Sequence, residues 1–428
     1  MNTYLTGVQL AINAIADAYL VVDGPNCAIF RCSQIQGNHD WHSTLLSADG
    51  QHRVADTDAT PDRIAAGDDR LLRERLKRIA DLPACGVLLL VAMSPVAVTG
   101  RQHDRILADL GLGDRVIHIP SGSLDGDHLD GYARTLASLA AGLPLAASGP
   151  EPAKVAMVGH LHDRNEADRH ADAAQIRHLL EGCGLELISC WLDGSGAASL
   201  CRISEAGLIV SLPYAREAAR ILAGRTGAEL VECGLPIGLE GTSRFIREIA
   251  KCTGREAQAE AFISSELDRI VPRLEWVLLH RLQGKRLAVI ADCHLACALA
   301  EACQELGCRV LLRCDWSSPS HIEPREHTGP GTRVEGFDPG LGGVLAGLAS
   351  EGLDLLLTNA HALITAGLPG GVAEVEIGFP SYHHHALFER PLLGYDGAAG
   401  LAERLINALA AEAVRQGQRG AGALDTSD

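Results

Sequence analysis

Short apolar runs alternate with amphipathic stretches along most of the chain. Each run is bounded by Gly, Asp or Pro, and continuous apolar runs of this kind are typical of strands buried on both faces of a parallel sheet. Repeated strand–helix–strand units predict an α/β fold with two to three Rossmann-like, doubly wound parallel-sheet domains. Seven strands are predicted, at residues 87–92, 155–159, 185–190, 207–212, 286–291, 308–312 and 353–358.

Two segments indicate domain boundaries. Residues 143–154 are rich in Ala, Gly, Pro and Ser and precede a new strand, which predicts a linker. Residues 256–280 predict one long amphipathic helix leading into another strand. We therefore expect an N-terminal α/β domain at 1–150, a Rossmann-like domain at 151–257, the long helix with a C-terminal Rossmann-like domain at 258–416, and a disordered tail at 417–428.

Composition and charge narrow the classes of partner. The 428 residues carry a formal net charge of -17, which disfavours binding to a nucleic-acid backbone. No apolar run reaches the length of a membrane span, and the N-terminus lacks a charged segment followed by an apolar one. The 13 cysteines are irregularly spaced, which does not indicate a disulfide framework. We expect a cytoplasmic protein with reduced thiols that binds neither nucleic acid nor membrane.

The first candidate for chemistry is Cys27. It follows an amphipathic stretch, a short apolar strand and the turn Gly24-Pro25-Asn26. Gly24 frees the backbone and Pro25 fixes φ, so the thiol is held on a tight corner, as an iron–sulfur ligand requires. A buried, inert cysteine fits the same corner and stays an alternative. Cys32, five residues further on, is either a second ligand or a packed thiol.

Other short motifs follow this corner in a fixed order. They are Met93-Ser94-Pro95 with Thr99-Gly100, Pro120-Ser121-Gly122 with Gly126, Gly234-Leu235-Pro236-Ile237-Gly238 with Thr242 and Phe245, Asn359-Ala360-His361, Gly378-Phe379-Pro380, and Arg390-Pro391 through Gly394-Tyr395-Asp396-Gly397. Together they resemble the nitrogenase component 1 family over nearly the whole chain. That family includes nitrogenase, its cofactor-assembly scaffold, and the dark-operative protochlorophyllide and chlorophyllide reductases.

The resemblance implies that Cys27 is an iron–sulfur ligand, but the chain departs from the family at other ligand positions. Ser94 stands where the family has a cysteine at the end of strand 87–92, and Cys85 lies before that strand and would join only through a register shift. No cysteine precedes the corner, and residues 211–214 lack the thiol that anchors the catalytic cofactor in the alpha subunit. The chain therefore resembles the beta-type subunits, and we expect it to share a four-iron cluster (4Fe-4S) with a partner.

The resemblance also implies the partners. These are a homologous alpha-type subunit, in an α2β2 heterotetramer, and a dimeric ATP-dependent iron protein. The chain has no P-loop, so ATP would act only through that separate reductase. The predicted function is a subunit of a nitrogenase-like oxidoreductase that passes electrons through the cluster to a substrate site shared with the partner. Two alternatives stay open: a scaffold subunit for metal-cofactor assembly, and a module that binds a small ligand without metal.

Histidines supply the candidate proton donors. Ligands of parallel sheets bind beyond the carboxyl ends of strands, where His361 and the run His383–His385 are predicted to lie. Reduction by successive electrons needs protons, so we predict that His361 and His384 are catalytic. The three consecutive histidines fit a metal site or a solvated surface cluster equally well.

A last candidate site is the sequence Cys293-His294-x-x-Cys297, which follows the strand at 286–291. Its spacing loosely resembles that of a metal site. A helix beginning there, with Asp292 as N-cap and two small packed thiols, explains it better.

Overall fold

The computed structural model describes residues 3–121, 126–146, 149–161, 168–317, 332–336 and 340–424. It contains three parallel β-sheets and many α-helices, which confirms the predicted α/β fold. The chain forms two compact units. Unit 1 comprises residues 1–169 and 184–233, and unit 2 comprises residues 170–183 and 234–428.

The first sheet of unit 1, sheet A, has the strand order β2-β1-β3-β4. Its strands are β1 (Ala18–Asp23), β2 (Val54–Asp56), β3 (Val87–Ala92) and β4 (Val116–Ile119). All pairs are parallel, and β1 lies beside β3 with Ala18 opposite Val87 and Asp23 opposite Ala92. Every residue of β3 is buried, which explains its unbroken apolar sequence.

Seven helices of unit 1 lie before, between or after these strands. They are α1 (Tyr4–Asn13), α2 (Cys27–Gln34) with a following π-helical turn (Ile35–His39), α3 (Pro61–Ala65), α4 (Arg70–Ala80), α5 (Ser94–Ala97), α6 (His103–Asp109) and α7 (His128–Gly142). Helices α1 and α7 approach closely because each has a glycine at the contact. A Cβ on Gly7 would lie 1.8 Å from the carbonyl oxygen of His128, and one on Gly131 would lie 1.9 Å from that of Tyr4.

The second sheet of unit 1, sheet B, has the order β6-β5-β7-β8, again all parallel. Its strands are β5 (Glu151–Val158), β6 (Glu186–Cys190), β7 (Ala206–Ser211) and β8 (Glu229–Glu232). Helix α9 (Ala197–Cys201) precedes β7, and α10 (Arg216–Thr226) follows it. Gly227 follows the last residue of α10, and its positive φ of 76° suits glycine at a helix C-terminus.

Unit 2 is built around sheet C, a five-stranded parallel sheet of order β11-β10-β9-β12-β13. The strands are β9 (Arg286–Ala291), β10 (Arg309–Asp315), β11 (Arg333–Gly336), β12 (Leu355–Thr358) and β13 (Ala373–Glu376). The helices are α8 (Arg169–Gly182), α11 (Leu239–Thr253), α12 (Glu256–Val277) with a π-helical turn (Leu278–Leu282), α13 (Cys293–Glu305), α14 (Leu341–Ser350), α15 (Ala360–Ala366) and α16 (Gly394–Leu424). The order reverses between β9 and β12, which makes their carboxyl ends a topological switch point.

The sequence predicted the long buried strands and the long helix well. Strands β3 and β9 have the predicted bounds, and the helix expected at 256–280 is α12 with its π-helical turn. The shorter strands β2, β4, β8, β11 and β13 were not predicted. Each of the three expected domains contains one sheet, but contacts group the first two sheets into unit 1, so those boundaries stay a prediction.

The tail expected at residues 417–428 overlaps the last helix, and its disorder stays a prediction. Helix α16 continues to Leu424, so residues 417–424 are helical, and residues 425–428 lie outside the described part of the chain. The run of Ala, Gln, Arg and Glu that leads into this segment favours helix, which outweighs its glycines. Among the described residues, no helix is both long and apolar enough to cross a bilayer.

Candidate functional site

The corner that carries Cys27 connects β1 to α2. Its Gly24 N–H donates to Thr57 Oγ1 at 3.0 Å, and the Gly24 carbonyl accepts from the Ala59 N–H at 3.0 Å. A Cβ on Gly24 would lie 2.7 Å from the Met93 side chain, so the corner passes close to the residue before Ser94. Contacts from the ends of β2 and β3 thus fix the turn.

Cys27 and Ser94 lie at the same edge of sheet A. Asp23 pairs with Ala92 in register, so Cys27 follows the end of β1 by four residues and Ser94 follows the end of the adjacent β3 by two. Both side chains are half-buried, and each begins a helix. The structure therefore brings together two of the four residues that the sequence proposed as cluster ligands.

The other two proposed ligands lie elsewhere. Cys32 is fully buried on the inner face of α2, where burial raises the pKa of its thiol to about 12. Cys85 precedes β3 and therefore lies at the amino edge of sheet A, roughly 20 Å along the strand from the edge with Ser94. Burial, followed by the nearby Asp17 charge, raises the pKa of Cys85 to about 11.

Neither thiol supports the ligand role predicted from the sequence. The register of β1 and β3 has no irregularity, so the shift that Cys85 needed is absent from this pair of strands. Cys32 was proposed because it lies close to Cys27 in the sequence. A separation of five residues on a helix places the two side chains on different faces, and only Cys32 packs into the core.

A buried polar network beneath the corner was not predicted from the sequence. Asp23, the last residue of β1, is fully buried and accepts from Arg101 Nη1 at 3.1 and 3.0 Å on its two oxygens. His103 Nε2 lies 2.8 Å from Asp23 Oδ2, and Thr57 Oγ1 donates to Oδ1 at 2.9 Å. Burial alone would raise the pKa of Asp23, but these hydrogen bonds and the Arg101 charge hold it below its usual value.

One signal could have identified this network. An aspartate that ends an otherwise apolar strand must find partners if it is buried. Arg101 and His103 lie 78 and 80 residues away in sequence, and no local pattern selects them.

The carboxyl edge of sheet C in unit 2 holds His361. Asn359 follows β12 directly and caps α15 by accepting from the Ala362 N–H at 2.8 Å. The His361 ring packs edge-on against Trp316, with centroids 5.3 Å apart, and burial lowers its pKa. Within the part of the chain that the structure describes, the buried atoms His361 Nδ1 and Asn359 Nδ2 have no hydrogen-bond partner.

The neighbouring strand β10 adds a buried ion pair to this edge. Asp315 is fully buried, and its Oδ1 lies 3.2 Å from Arg313 Nε. That contact lacks hydrogen-bond geometry, although Arg313 Nη2 donates to Asp315 Oδ2 at 3.3 Å. Burial raises the pKa of Asp315 to about 6 in spite of the Arg313 charge. Polar side chains from β10 and β12 therefore meet the edge where parallel sheets bind ligands.

The three consecutive histidines have different environments. His383 Nδ1 lies 2.6 Å from Oε2 of the buried Glu376, whereas the His384 side chain is exposed and its carbonyl accepts from Ser381. Among the described residues, no group of three or more His, Cys, Asp or Glu side chains could hold a metal ion. Of the two interpretations of this run, the solvated cluster fits His384.

Residues 293–297 begin a helix, as predicted, but of the two thiols expected to be packed Cys297 is only half-buried. Asp292 is the N-cap of α13 and accepts from the Leu295 N–H at 3.0 Å. Cys293 is buried, and burial raises its pKa well above its usual value.

Comparison with known proteins identifies the family. The sequence model of the nitrogenase component 1 type oxidoreductases matches residues 4–410. The chain belongs to this family. Membership confirms the resemblance predicted from the Gly24–Cys27 corner and the ordered motifs that follow it.

Several known proteins resemble the chain. It is 28% identical over 188 residues to the nitrogenase iron-iron protein beta chain of Rhodobacter capsulatus, covering 41% of this chain and 39% of that one. It is 25% identical over 223 residues to the nitrogenase molybdenum-iron protein beta chain of Frankia alni, covering 51% and 42%. It is 27% identical over 254 residues to a subunit of the light-independent protochlorophyllide reductase of Methylobacterium radiotolerans, covering 58% and 43%. The aligned part thus spans about two fifths of these relatives.

The similarity in fold to a solved structure covers more of the chain than these sequence alignments do. A solved structure of nitrogenase Cp1 at pH 6.5 superposes with a TM-score of 0.79 at 19% identity, covering 97% of this chain and 94% of that one. This family member therefore keeps the nitrogenase component 1 fold. The named relatives include two nitrogenase beta chains, in line with the predicted beta-type resemblance.

Proposed function

We propose that the chain is the beta-type subunit of a nitrogenase-like reductase complex in the cytoplasm. Its partners would be a homologous alpha-type subunit, in an α2β2 heterotetramer, and a separate dimeric iron protein that uses ATP. The observation that carries the proposal is the half-buried Cys27 thiol, fixed on a Gly-Pro corner at the carboxyl edge of sheet A. Family membership supports iron–sulfur chemistry at such a corner.

The donor set fits one side of a shared cluster. Cys27 supplies a thiol, the ligand that iron–sulfur clusters use. The Ser94 hydroxyl, at the same edge of sheet A, would be a weaker ligand because it offers oxygen in place of sulfur. Because the described residues contain no complete metal-binding group, the remaining ligands would come from the partner. When bound, the four-iron cluster would supply one-electron transfer between the reductase and the substrate site.

The residues of this chain would hold the cluster ligand and manage protons. The hydrogen bonds of Gly24 with Thr57 and Ala59 would keep the Cys27 corner in one conformation. In unit 2, His361 would exchange a proton at Nδ1, a buried ring nitrogen that has no hydrogen-bond partner among the described residues. His384, which is exposed, would act from the surrounding surface. Both histidines keep the catalytic role proposed from the sequence.

The test compares two cysteine variants in the complex produced together with its partner. Cys27→Ala should lower bound iron and abolish reductase-driven turnover. Cys32→Ala, five residues away and packed in the core, serves as the control and should retain iron. Equal iron content in both variants would remove Cys27 from the ligand set. Iron loss in Cys27→Ala, combined with a wild type that shows no turnover with the cognate reductase and ATP, would favour the assembly-scaffold alternative.

A further inference from the structure

We propose that the buried Asp23–Arg101 pair is a charge-balancing and positioning device for the Cys27 corner. This inference rests on the proposed role of Cys27 as a cluster ligand. Asp23 is fully buried, and the Arg101 side chain is only 9% exposed. Arg101 Nη1 contacts both carboxylate oxygens of Asp23, so the two full charges are paired out of solvent.

The pair is attached directly to the turn that presents Cys27. Thr57 Oγ1 donates to Asp23 Oδ1 and accepts from the Gly24 N–H, so one hydroxyl connects the carboxylate to the corner backbone. The Met93 N–H donates to the Asp23 carbonyl at 3.0 Å, which connects the same residue to the segment before Ser94. A change at Asp23 is therefore transmitted to both candidate ligands.

Electrostatics gives the pair a second effect. Asp23 and Cys27 are four residues apart, so their Cα atoms lie within about 15 Å whatever the turn geometry. Buried charges are screened much less than surface charges at such distances. With Arg101 in place the two charges nearly cancel, whereas loss of either partner leaves a full buried charge near the ligand thiolate.

The sign of the effect differs between the two single variants. Arg101→Met leaves an unpaired carboxylate, which disfavours an added electron on the cluster. Asp23→Asn leaves an unpaired guanidinium, which favours an added electron. The double variant Asp23→Asn/Arg101→Met is neutral again. His103 and Thr57 also contact Asp23, and histidine can itself carry a charge. Each variant is therefore also made in a His103→Gln background, in which the comparison isolates the charge of the pair.

The experiment has one readout in the loaded complex and one in the metal-free chain. The midpoint potential of the cluster should shift to more negative values in Arg101→Met, to more positive values in Asp23→Asn, and return towards the wild-type value in the double variant. In the metal-free chain, the readout is the Cys27 alkylation rate with the anion iodoacetate divided by the rate with neutral iodoacetamide, a ratio from which the thiolate fraction cancels. This ratio should fall by roughly three- to tenfold in Arg101→Met and rise by a similar factor in Asp23→Asn.

A matched control is available on the surface of the same unit. Arg73 Nε lies 2.8 Å from Asp69 Oδ2, but both side chains are about one-third exposed. The variants Asp69→Asn and Arg73→Met should leave the potential and the ratio of Cys27 alkylation rates unchanged. Should a single variant at position 23 or 101 lose all iron, Arg101→Lys, which keeps the charge, must retain iron at an unchanged potential.

The outcomes separate this inference from the proposed function. Full iron content in Cys27→Ala would overturn the proposed function. Iron loss in Cys27→Ala, combined with potentials that do not move in opposite directions in the two single variants, would overturn the charge-balancing role alone. If the midpoint potential of the double variant differs from that of the wild type by more than either single variant does, the pair is only structural. That result would also overturn the charge-balancing role.

Discussion

Asp172 and Leu392 are joined by a buried hydrogen bond across 220 residues of sequence. Oδ1 of Asp172 in α8 accepts from the Leu392 N–H at 2.7 Å and also from the Leu393 N–H at 2.8 Å. Asp172 is fully buried. These contacts fix the segment that leads into α16 within unit 2, so part of the motif at residues 390–397 serves the fold.

Replacing Asp172 should therefore destabilise unit 2. Asp172→Ala leaves two buried N–H groups without their acceptor, and we expect a loss of roughly 2–4 kcal/mol in the free energy of unfolding. Hydrogen exchange of peptides at the start of α16 would measure it. Glu181→Ala, an exposed position on the same helix, is the control and should change little. Unchanged protection of α16 in Asp172→Ala would show that the segment is held by other contacts.

Two motifs recognised separately in the sequence contact each other in unit 2. The Pro236 carbonyl accepts from the Gly394 N–H at 2.8 Å, and Ser243 Oγ lies 2.9 Å from Tyr395 Oη. The order of motifs along the chain was enough to predict the family and the fold. It did not predict this contact, because pairing across about 150 residues depends on the tertiary structure.

The candidate site, like the fold, could be predicted from the sequence only in part. The Cys27 corner was predictable because glycine, proline and cysteine lie within four residues and act locally. The sequence already placed Cys85 before the strand at 87–92, at the edge of the sheet opposite Ser94, and only a register shift could have made it a ligand. The register of β1 and β3 shows no such shift. The partners of Asp23 were missed because burial and long-range contacts select them.

Thiol reactivity should distinguish Cys27 and Cys32 on α2 from each other, and Cys27 from Cys85 before β3. Burial raises the pKa of Cys32 to about 12 and that of Cys85 to about 11, so at pH 8 the thiolate fraction of Cys32 is only about one in ten thousand. Cys27 is half-buried at the start of α2. In metal-free protein we expect iodoacetamide to label Cys27 at least about tenfold faster than Cys32, as measured by peptide mass spectrometry.

Denatured protein provides the reference for this experiment, because all three thiols should then react at similar rates. Equal labelling of Cys27 and Cys32 in the native chain would mean that α2 opens readily. It would also weaken the argument that only Cys27 is presented as a ligand.

Replacing His361 should lower turnover much more than it lowers iron content. His361→Gln keeps a polar side chain of similar size but cannot carry a proton near neutral pH, and we expect a loss of about a hundredfold in reductase-driven turnover. Iron content should stay close to that of the wild type, since His361 is not among the candidate cluster ligands. Because burial lowers the pKa of His361, turnover that depends on its protonated form should decline at a lower pH than expected for an exposed histidine.

His384, the exposed one of the two candidate catalytic histidines, is tested in the same way. His384→Ala should lower turnover less than His361→Gln does, because an exposed side chain is readily replaced by water as a proton source. His178, a half-exposed histidine on α8, offers the control variant His178→Gln. Full activity of His361→Gln and His384→Ala from about pH 6 to pH 8 would limit this subunit to cluster ligation and electron transfer.

The buried Asp315 should make unit 2 less stable as pH rises. Burial raises the pKa of Asp315 to about 6, above its value of about 3.9 in an unfolded chain. Between these two values the unfolded state releases the proton while the folded state keeps it, so the free energy of unfolding falls with increasing pH. The contribution is complete below about pH 4, is lost as pH passes 6, and amounts to at most roughly 3 kcal/mol.

Asp315→Asn should remove this dependence, because asparagine does not titrate. Relative to Asp315→Asn, the free energy of unfolding of the wild type should fall by up to roughly 3 kcal/mol between about pH 4 and pH 7. Above that range the difference should stay constant. Hydrogen exchange of β10 peptides at several pH values, corrected for the intrinsic rate, would measure it. Asp268→Asn, on the exposed face of α12, is the control. A stability difference that rises with pH would mean that the Arg313 charge outweighs burial at this edge of sheet C.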